Sequence, residues 1–270
     1  MSRPTSRGPV DTAMVPQSEA SATALLNLWL SRPQQTALFL DVDGTLLDIA
    51  DSPDAVVVPP GLLDALAQLQ RSLDGALALI SGRPVEELDR LLQPVRLAAS
   101  GGHGAHWRER GDSPLRCTTP DLPANLRLQL NALAQRHVGI QIEDKGTSVA
   151  LHYRAAPDLA TALREAVQTL LHAPEGTGLR LLNGKQVYEV VSEGVDKAQA
   201  IQRLLGTPTF AGRLPLYIGD DVTDEPAIAL MPTLGGLGLS VGRALPGASA
   251  VFSDAEQVRD ALMQAGGIHR

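Results

Sequence analysis

The chain has 270 residues, of which 44% are hydrophobic and 20% charged, the balance of a globular protein able to bury a core in one large domain or two modest ones. Its formal net charge is -7, from 30 acidic against 23 basic residues with no Lys/Arg run, which excludes the clustered basic surface that nucleic-acid binding demands. One cysteine, Cys117, excludes an intramolecular disulfide and a cysteine metal cluster, and the short apolar stretch from 22 to 30, preceded by Asp11 and Glu19, reads as neither leader nor membrane span, so the cytoplasm is the expected location.

Residues 1–18 are rich in Ser, Pro, Thr and Gly and read as a disordered tail. A short amphipathic helix is predicted from Ser21 to Leu30. The apolar run Ala37 to Leu40 reads as a buried strand that stops at Asp41. A helix over 61–72 follows, with Leu62, Leu66 and Leu69 on one face, then a strand over 76–80 that stops at Ser81-Gly82. Pro84 suits the first position of a helix running to Leu92. A weaker strand, Leu97-Ala98-Ala99, is closed by Gly101-Gly102. Far along the chain, Leu216 to Gly219 ends at Asp220, and another strand spans 237–241. Strands alternating with helices of this length predict a mainly parallel sheet with helices on both faces.

Residues 108–192 have another rhythm: a helix over 124–137, strands over 139–143 and 148–153 about a turn at Asp144-Lys145-Gly146, a helix over 159–172, then strands over 179–182 and 186–191. Helix-strand-strand, twice, predicts a small α+β domain inserted into the larger one, so 19–107 and 193–270 form the core and 108–192 the insert.

Asp41, Ser81 and Asp220 each stand where a buried strand ends, and ligands of open parallel sheets bind beyond those ends. Asp41-Val42-Asp43-Gly44-Thr45 places two carboxylates on one turn, with Gly44 permitting a tight bend and Thr45 and the following amides able to hydrogen-bond a phosphate. One carboxylate can attack phosphorus, while the other protonates the leaving alcohol and later deprotonates water. Neighbouring carboxylates repel each other and a phosphate, and so demand a cation. With Asp220 and Asp221 they make an all-oxygen site that suits Mg²⁺. Ser81 would hold a phosphate oxygen, and Lys197, ahead of a helix over 198–205, would neutralise the transferring group. Singly, each has a plainer explanation: a surface turn for Asp41 to Gly44, a solvated helix start for Lys197, a helix cap for Asp220-Asp221. Their joint occurrence at strand ends is what favours chemistry.

Asp41-Val42-Asp43-Gly44-Thr45-Leu46, Ser81-Gly82-Arg83, Lys197 and Gly219-Asp220-Asp221 resemble the four signature motifs of the haloacid dehalogenase superfamily of phosphatases. Within it, residues from about 36 to 255 are similar to trehalose-6-phosphate phosphatases. That likeness is carried by Gly102-His103-Gly104, by Glu143 to Ser148 running into His152-Tyr153-Arg154, by Gly184-Lys185 with Glu189, and by Gly219 to Glu225. It implies a Rossmann-like α/β core with an inserted α+β cap. It also implies Mg²⁺-dependent hydrolysis of trehalose 6-phosphate through a phospho-aspartyl intermediate, the final step of trehalose biosynthesis.

Carried over residue by residue, the resemblance implies Asp41 as nucleophile and metal ligand, and Asp43 as general acid/base whose backbone carbonyl also meets the metal. Asp220 becomes the third ligand, with Asp221 and Asp224 in support. Gly44, Thr45, Ser81, Gly82, Arg83 and Lys197 surround the phosphoryl group, and His103, Glu143, Lys145, Arg154 and Glu189 meet the sugar. The implied partner is a small sugar phosphate, with functional pairing to a trehalose-6-phosphate synthase. Two positions depart from the family: His106 stands where a Glu is usual, and Ala198 where Gly is common. Alternatives at this point are the same chemistry on another sugar phosphate of the sucrose-6-phosphate type, a phosphomutase, or a catalytically silent regulatory partner of trehalose synthesis.

Overall fold

The computed structural model describes residues 19–49, 56–184 and 186–268, so the expected tail over 1–18 and Lys185 lie outside the described residues. Helix α1 (Glu19–Leu30) leads into β1 (Thr36–Leu40), α2 (Leu62–Ser72), β2 (Leu77–Ile80), α3 (Val85–Leu91) and β3 (Ala98–Gly101). After the inserted segment come α6 (Lys197–Leu205), β10 (Leu214–Gly219), α7 (Glu225–Leu230), β11 (Leu237–Val241), β12 (Ala250–Phe252) and α8 (Ala255–Ala265). The strands β1, β2 and β11 are buried along their whole length, because helices cover both faces of the sheet; this is why they read as unbroken apolar runs. Pro84 caps α3 with extended backbone, one position before the helical start expected for it.

The larger sheet has the order β12-β11-β10-β1-β2-β3, all parallel, extended by two antiparallel strands, β4 (His106–Arg108) and β5 (Arg116–Cys117). The chain builds outward from β1 through β2 to β3, then returns to place β10 on the other side of β1. The order therefore reverses at β1, and the loops leaving β1, β2 and β10 diverge around one crevice.

The inserted unit comprises α4 (Ala124–Gln135), β6 (Gln141–Asp144), β7 (Ser148–His152), α5 (Ala160–Leu171), β8 (Leu179–Gly184) and β9 (Val187–Ser192). Its strands form an antiparallel sheet in the order β6-β7-β9-β8. Leu126, Leu130, Leu163 and Val167 of the two helices pack on Val149, Leu151 and Val190, giving this unit a core separate from that of the larger sheet. The expected boundary at residue 108 needs correction, because β5 pairs with β4 and so carries the larger sheet to Cys117. Among the described residues no helix is long and apolar enough to cross a membrane.

Candidate active site

A cavity of about 700 Å³ lies between the crevice of the larger sheet and the open face of the smaller one. Of the residues singled out in the sequence, Asp41, Asp43, Ser81, Gly82, Arg83, His103, Glu143, Lys145, Arg154, Glu189, Lys197, Asp220 and Asp221 line it.

At its floor, Asp41 follows β1 and is 3% exposed. Lys197 opens α6, one position earlier than expected, because Asp196 caps that helix by accepting from the Gln199 amide at 2.8 Å. Its ammonium lies 2.6 Å from Asp41 Oδ1 and 2.6 Å from Asp224 Oδ1. Burial acts to depress Lys197, but Asp224 and Asp41 outweigh it and hold the ammonium well above its ordinary range. Burial and the Asp224 charge push Asp41 well up, with Lys197 opposing and Asp220 adding to the rise. Burial and Asp224 likewise bring Asp220 up to about 6.

Asp224 does not line the cavity; it is fully buried beneath it. It accepts from Lys197, the Tyr217 hydroxyl, and the amides of Asp220 and Asp221 at 3.2 and 3.0 Å. Asp221 in turn caps the short 3₁₀ turn Val222–Asp224, with Asp224 reciprocating in a capping box, so its plainer explanation is realised in the fold.

Carboxylate oxygens of Asp41, Asp220 and Asp224 all lie within 4.8 Å of one another. Three carboxylates against one ammonium leave an excess of two negative charges, the charge of one divalent cation. Asp41 Oδ2 is buried and has no hydrogen-bond partner. An orphaned carboxylate oxygen among oxygen donors, with Asp220 partly exposed beside it, fits a hard cation that keeps some positions for water and phosphate. Asp224 is the poorest ligand of the three, since both its oxygens already accept hydrogen bonds.

The turn after Asp41 differs from expectation. Gly44 has φ +86°, and a Cβ there would stand 2.1 Å from Asp220 Oδ2, so this glycine is needed for the close approach of the Asp220 loop. Its amide donates to Leu47 O at 2.7 Å, and the fully buried Thr45 has no hydrogen-bond partner for its hydroxyl. Neither residue lines the cavity. Ser81 and Gly82 do reach the wall, and Ser81 Oγ accepts from the Arg83 amide at 3.1 Å.

The roof is built by strand register. Glu143 pairs with Ala150, Ala150 with Glu189, and Glu189 with Leu182, which places these four side by side across the sheet. Ala150 is small enough to leave room between the two carboxylates, while Val149 and Leu151 turn the other way into the helices. Lys145 Nζ lies 3.2 Å from Glu189 Oε1 and 3.7 Å from Glu143 Oε2. Burial would depress Lys145, yet Glu189 and Glu143 keep it above its ordinary value. Glu189 also accepts from Ser148 Oγ at 2.7 Å and from His103 Nε2 at 2.9 Å. Burial would raise Glu189, but Lys145 and His103 hold it far below the usual carboxylate range.

The His103–Glu189 bond and Lys145 Nζ donating to Gly82 O at 3.3 Å both join roof to floor. His103 has φ +56° between two glycines of positive φ, and a Cβ on Gly82 would stand 2.6 Å from its ring. His106 lies in β4 away from the wall, so the departure from the family's usual Glu falls outside the cavity. The sequence reading gave no role to His152, Gln186 or Glu87 on the wall; His152 stood only within the family-like segment His152-Tyr153-Arg154, and Glu87 carried a signal of its own, four residues after Arg83 at the start of a helix.

The trehalose-phosphatase family model matches residues 39–243. A probable trehalose-phosphate phosphatase of Sinorhizobium fredii is 41% identical over 218 residues, 80% of this chain and 82% of its own length. The trehalose-6-phosphate phosphatase of Escherichia coli is 38% identical over 237 residues, 84% of this chain and 88% of its own. In fold, the C-terminal domain of Candida albicans trehalose-6-phosphate phosphatase superposes with a TM-score of 0.78 at 22% identity, over 96% of this chain and all of that domain. The chain belongs to the trehalose-phosphatase family.

Proposed function

We propose that this protein hydrolyses trehalose 6-phosphate to trehalose and phosphate, as the final step of trehalose biosynthesis. The observation that carries the reading is the pairing of the Asp41 carboxylate, one oxygen fixed by Lys197 and the other unpaired, with a roof bearing Glu143, Lys145 and Glu189 over the same cavity.

Asp41 attacks phosphorus, forming an aspartyl phosphate as the bond from phosphorus to the sugar oxygen breaks. Asp43 gives that oxygen a proton. Water then attacks phosphorus, Asp43 takes a proton from it, and the Asp41–phosphorus bond breaks. Lys197 and Ser81 face the phosphoryl oxygens, so their positions are set before substrate arrives. Asp41 and Asp220 are the side chains that would hold Mg²⁺, with the Asp43 carbonyl as the third ligand the resemblance implies. A bound Mg²⁺ would supply positive charge against the clustered carboxylates and the phosphate.

Glu143, Lys145 and Glu189 offer acceptors and a donor to the hydroxyls of a disaccharide. Arg154, held by Gln186 at 3.0 Å, stands at the same wall. We take residues from about 118 to 192 as a cap whose closure excludes water and selects the sugar. The substrate would come from a trehalose-6-phosphate synthase working in the same cytoplasm.

The test is phosphate release across trehalose 6-phosphate, sucrose 6-phosphate and glucose 6-phosphate, with and without Mg²⁺. Preference for trehalose 6-phosphate, lost on removing Mg²⁺ and in Asp41→Asn, supports the reading. Equal turnover of all three would refute the substrate, and binding without turnover would indicate a regulator.

A further inference from the structure

Arg83 leaves the end of β2 and Asp43 the end of β1, the neighbouring strand in the sheet. Their side chains meet in a two-point contact: Arg83 Nε donates to Asp43 Oδ2 at 2.7 Å and Nη2 to Asp43 Oδ1 at 2.7 Å. A planar guanidinium bound this way fixes both the position and the plane of a carboxylate. Its remaining terminal nitrogen, Nη1, donates to Glu87 Oε1 in the first turn of α3. The guanidinium is thus held at both ends, and its backbone amide is tied to Ser81 Oγ. Arg83 and Glu87 are 11% and 15% exposed at their side chains, whereas Asp43 is 38% exposed and faces the cavity. Above them, Lys145 of the cap sits on the Gly82 carbonyl, and the Glu87 charge adds to the field that keeps Lys145 protonated.

We propose that Arg83 and Glu87 are positioning residues that orient the Asp43 carboxylate for proton transfer, rather than ligands of the phosphate. This rests on Asp43 being the acid/base of the proposed reaction. Both of its proton transfers, to the sugar oxygen and from water, require one carboxylate orientation, and the paired Arg83 contact imposes one on a side chain that faces the cavity. Each of the three guanidinium nitrogens of Arg83 already donates to a carboxylate, so in this reading charge stabilisation of the phosphoryl group falls to Lys197 and the cation. Glu87 contributes by holding Nη1 away from Asp43, so that Nε and Nη2 form the paired contact.

The experiment compares wild type with Arg83→Gln, Arg83→Lys, Glu87→Gln and Asp43→Asn on two substrates, trehalose 6-phosphate and p-nitrophenyl phosphate. An aryl oxide departs without a proton, a sugar alkoxide does not, and kcat/KM reports the reaction only as far as leaving-group departure. Thermal unfolding and the inhibition constant of inorganic phosphate are measured for each variant. We expect Arg83→Gln to lower kcat/KM for the sugar phosphate about 100-fold but for the aryl phosphate less than about threefold, with the phosphate inhibition constant within about twofold of wild type. Glu87→Gln should show the same pattern at about one-tenth the size, and Arg83→Lys, lacking the paired donors, should not restore wild-type activity.

A phosphate inhibition constant raised about tenfold in Arg83→Gln, with equal losses on both substrates, would make Arg83 a phosphate ligand and overturn the inference. Equal losses that track a lowered melting temperature would overturn it in favour of a structural role. Asp43→Asn separates the two levels: if its own loss is the same on both substrates, the acid/base reading of Asp43 fails and the inference with it. If the loss depends on the leaving group while the Arg83 and Glu87 losses do not, the inference alone fails.

Discussion

Lys197 Nζ and Asp224 Oδ1 stand 2.6 Å apart, both buried beneath the cavity floor. Asp224 also binds Tyr217 and the amides of Asp220 and Asp221, so one carboxylate ties α6 to the loop after β10. Removing the ammonium leaves Asp41 and Asp224 as neighbouring buried carboxylates without it. We therefore expect Lys197→Met to destabilise the cation-free protein by about 3 kcal/mol and to abolish turnover. Urea unfolding with an unchanged slope measures the first effect. Loss of activity at wild-type stability would mean that Lys197 serves only the reaction.

Burial and Asp224 bring Asp220 from 3.8 up to about 6 in the absence of a cation. Between those values the folded chain binds the proton more tightly than the unfolded chain, so this carboxyl lowers cation-free stability as pH rises through the window. A divalent cation must displace that proton, so its affinity rises over the same range. The increase in melting temperature caused by Mg²⁺ should thus be larger at about pH 7.5 than at about pH 5. An equal increase at both would place the ion elsewhere.

Gly44 admits Asp220 to the site by lacking a side chain. In Gly44→Ala the added methyl would meet Asp220 Oδ2 at 2.1 Å on a backbone of φ +86°. The fold should persist while the Asp220 loop is displaced, weakening Mg²⁺ binding by about tenfold or more. Calorimetric titration of the ion checks this; unchanged affinity would remove Asp220 from the ligand set.

Glu189 receives Lys145, Ser148 and His103 at the roof. Glu189→Gln removes the charged acceptor that the proposed function assigns to sugar hydroxyls and leaves Lys145 with a weaker partner. We expect KM for trehalose 6-phosphate to rise about 10- to 100-fold, with a smaller change in kcat. A fall in kcat at constant KM would mean that Glu189 acts on the reacting groups instead.

Much of this fold was legible because parallel strands covered on both faces must be apolar throughout. The polar residues that end those runs, Asp41, Ser81 and Asp220, then mark the crevice. The strand β5 was not legible: Arg116 and Cys117 are both exposed and polar enough to read as a loop, and only their pairing with β4 shows that they extend the sheet. Asp224 could be placed near the site but not beneath it, since its burial depends on Lys197 and Tyr217, far away or unremarkable in the chain. Thr45 illustrates the converse. Its position in a phosphatase-like motif suggested a ligand, yet the turn from Val42 to Leu47 folds its hydroxyl inward. Family likeness supplied the residues expected to meet the sugar; the reason Glu143 and Glu189 converge, a shared register row across β6, β7 and β9, is visible only in the sheet.

The most direct measurement is peptide mass spectrometry of enzyme quenched in acid during turnover of trehalose 6-phosphate. We expect a phosphoryl group on the peptide containing Asp41 and nowhere else, absent from Asp41→Asn, which should also release no phosphate. An unmodified Asp41 peptide in the working enzyme, together with phosphate release by Asp41→Asn near the wild-type rate, would contradict phosphoryl transfer through this carboxylate.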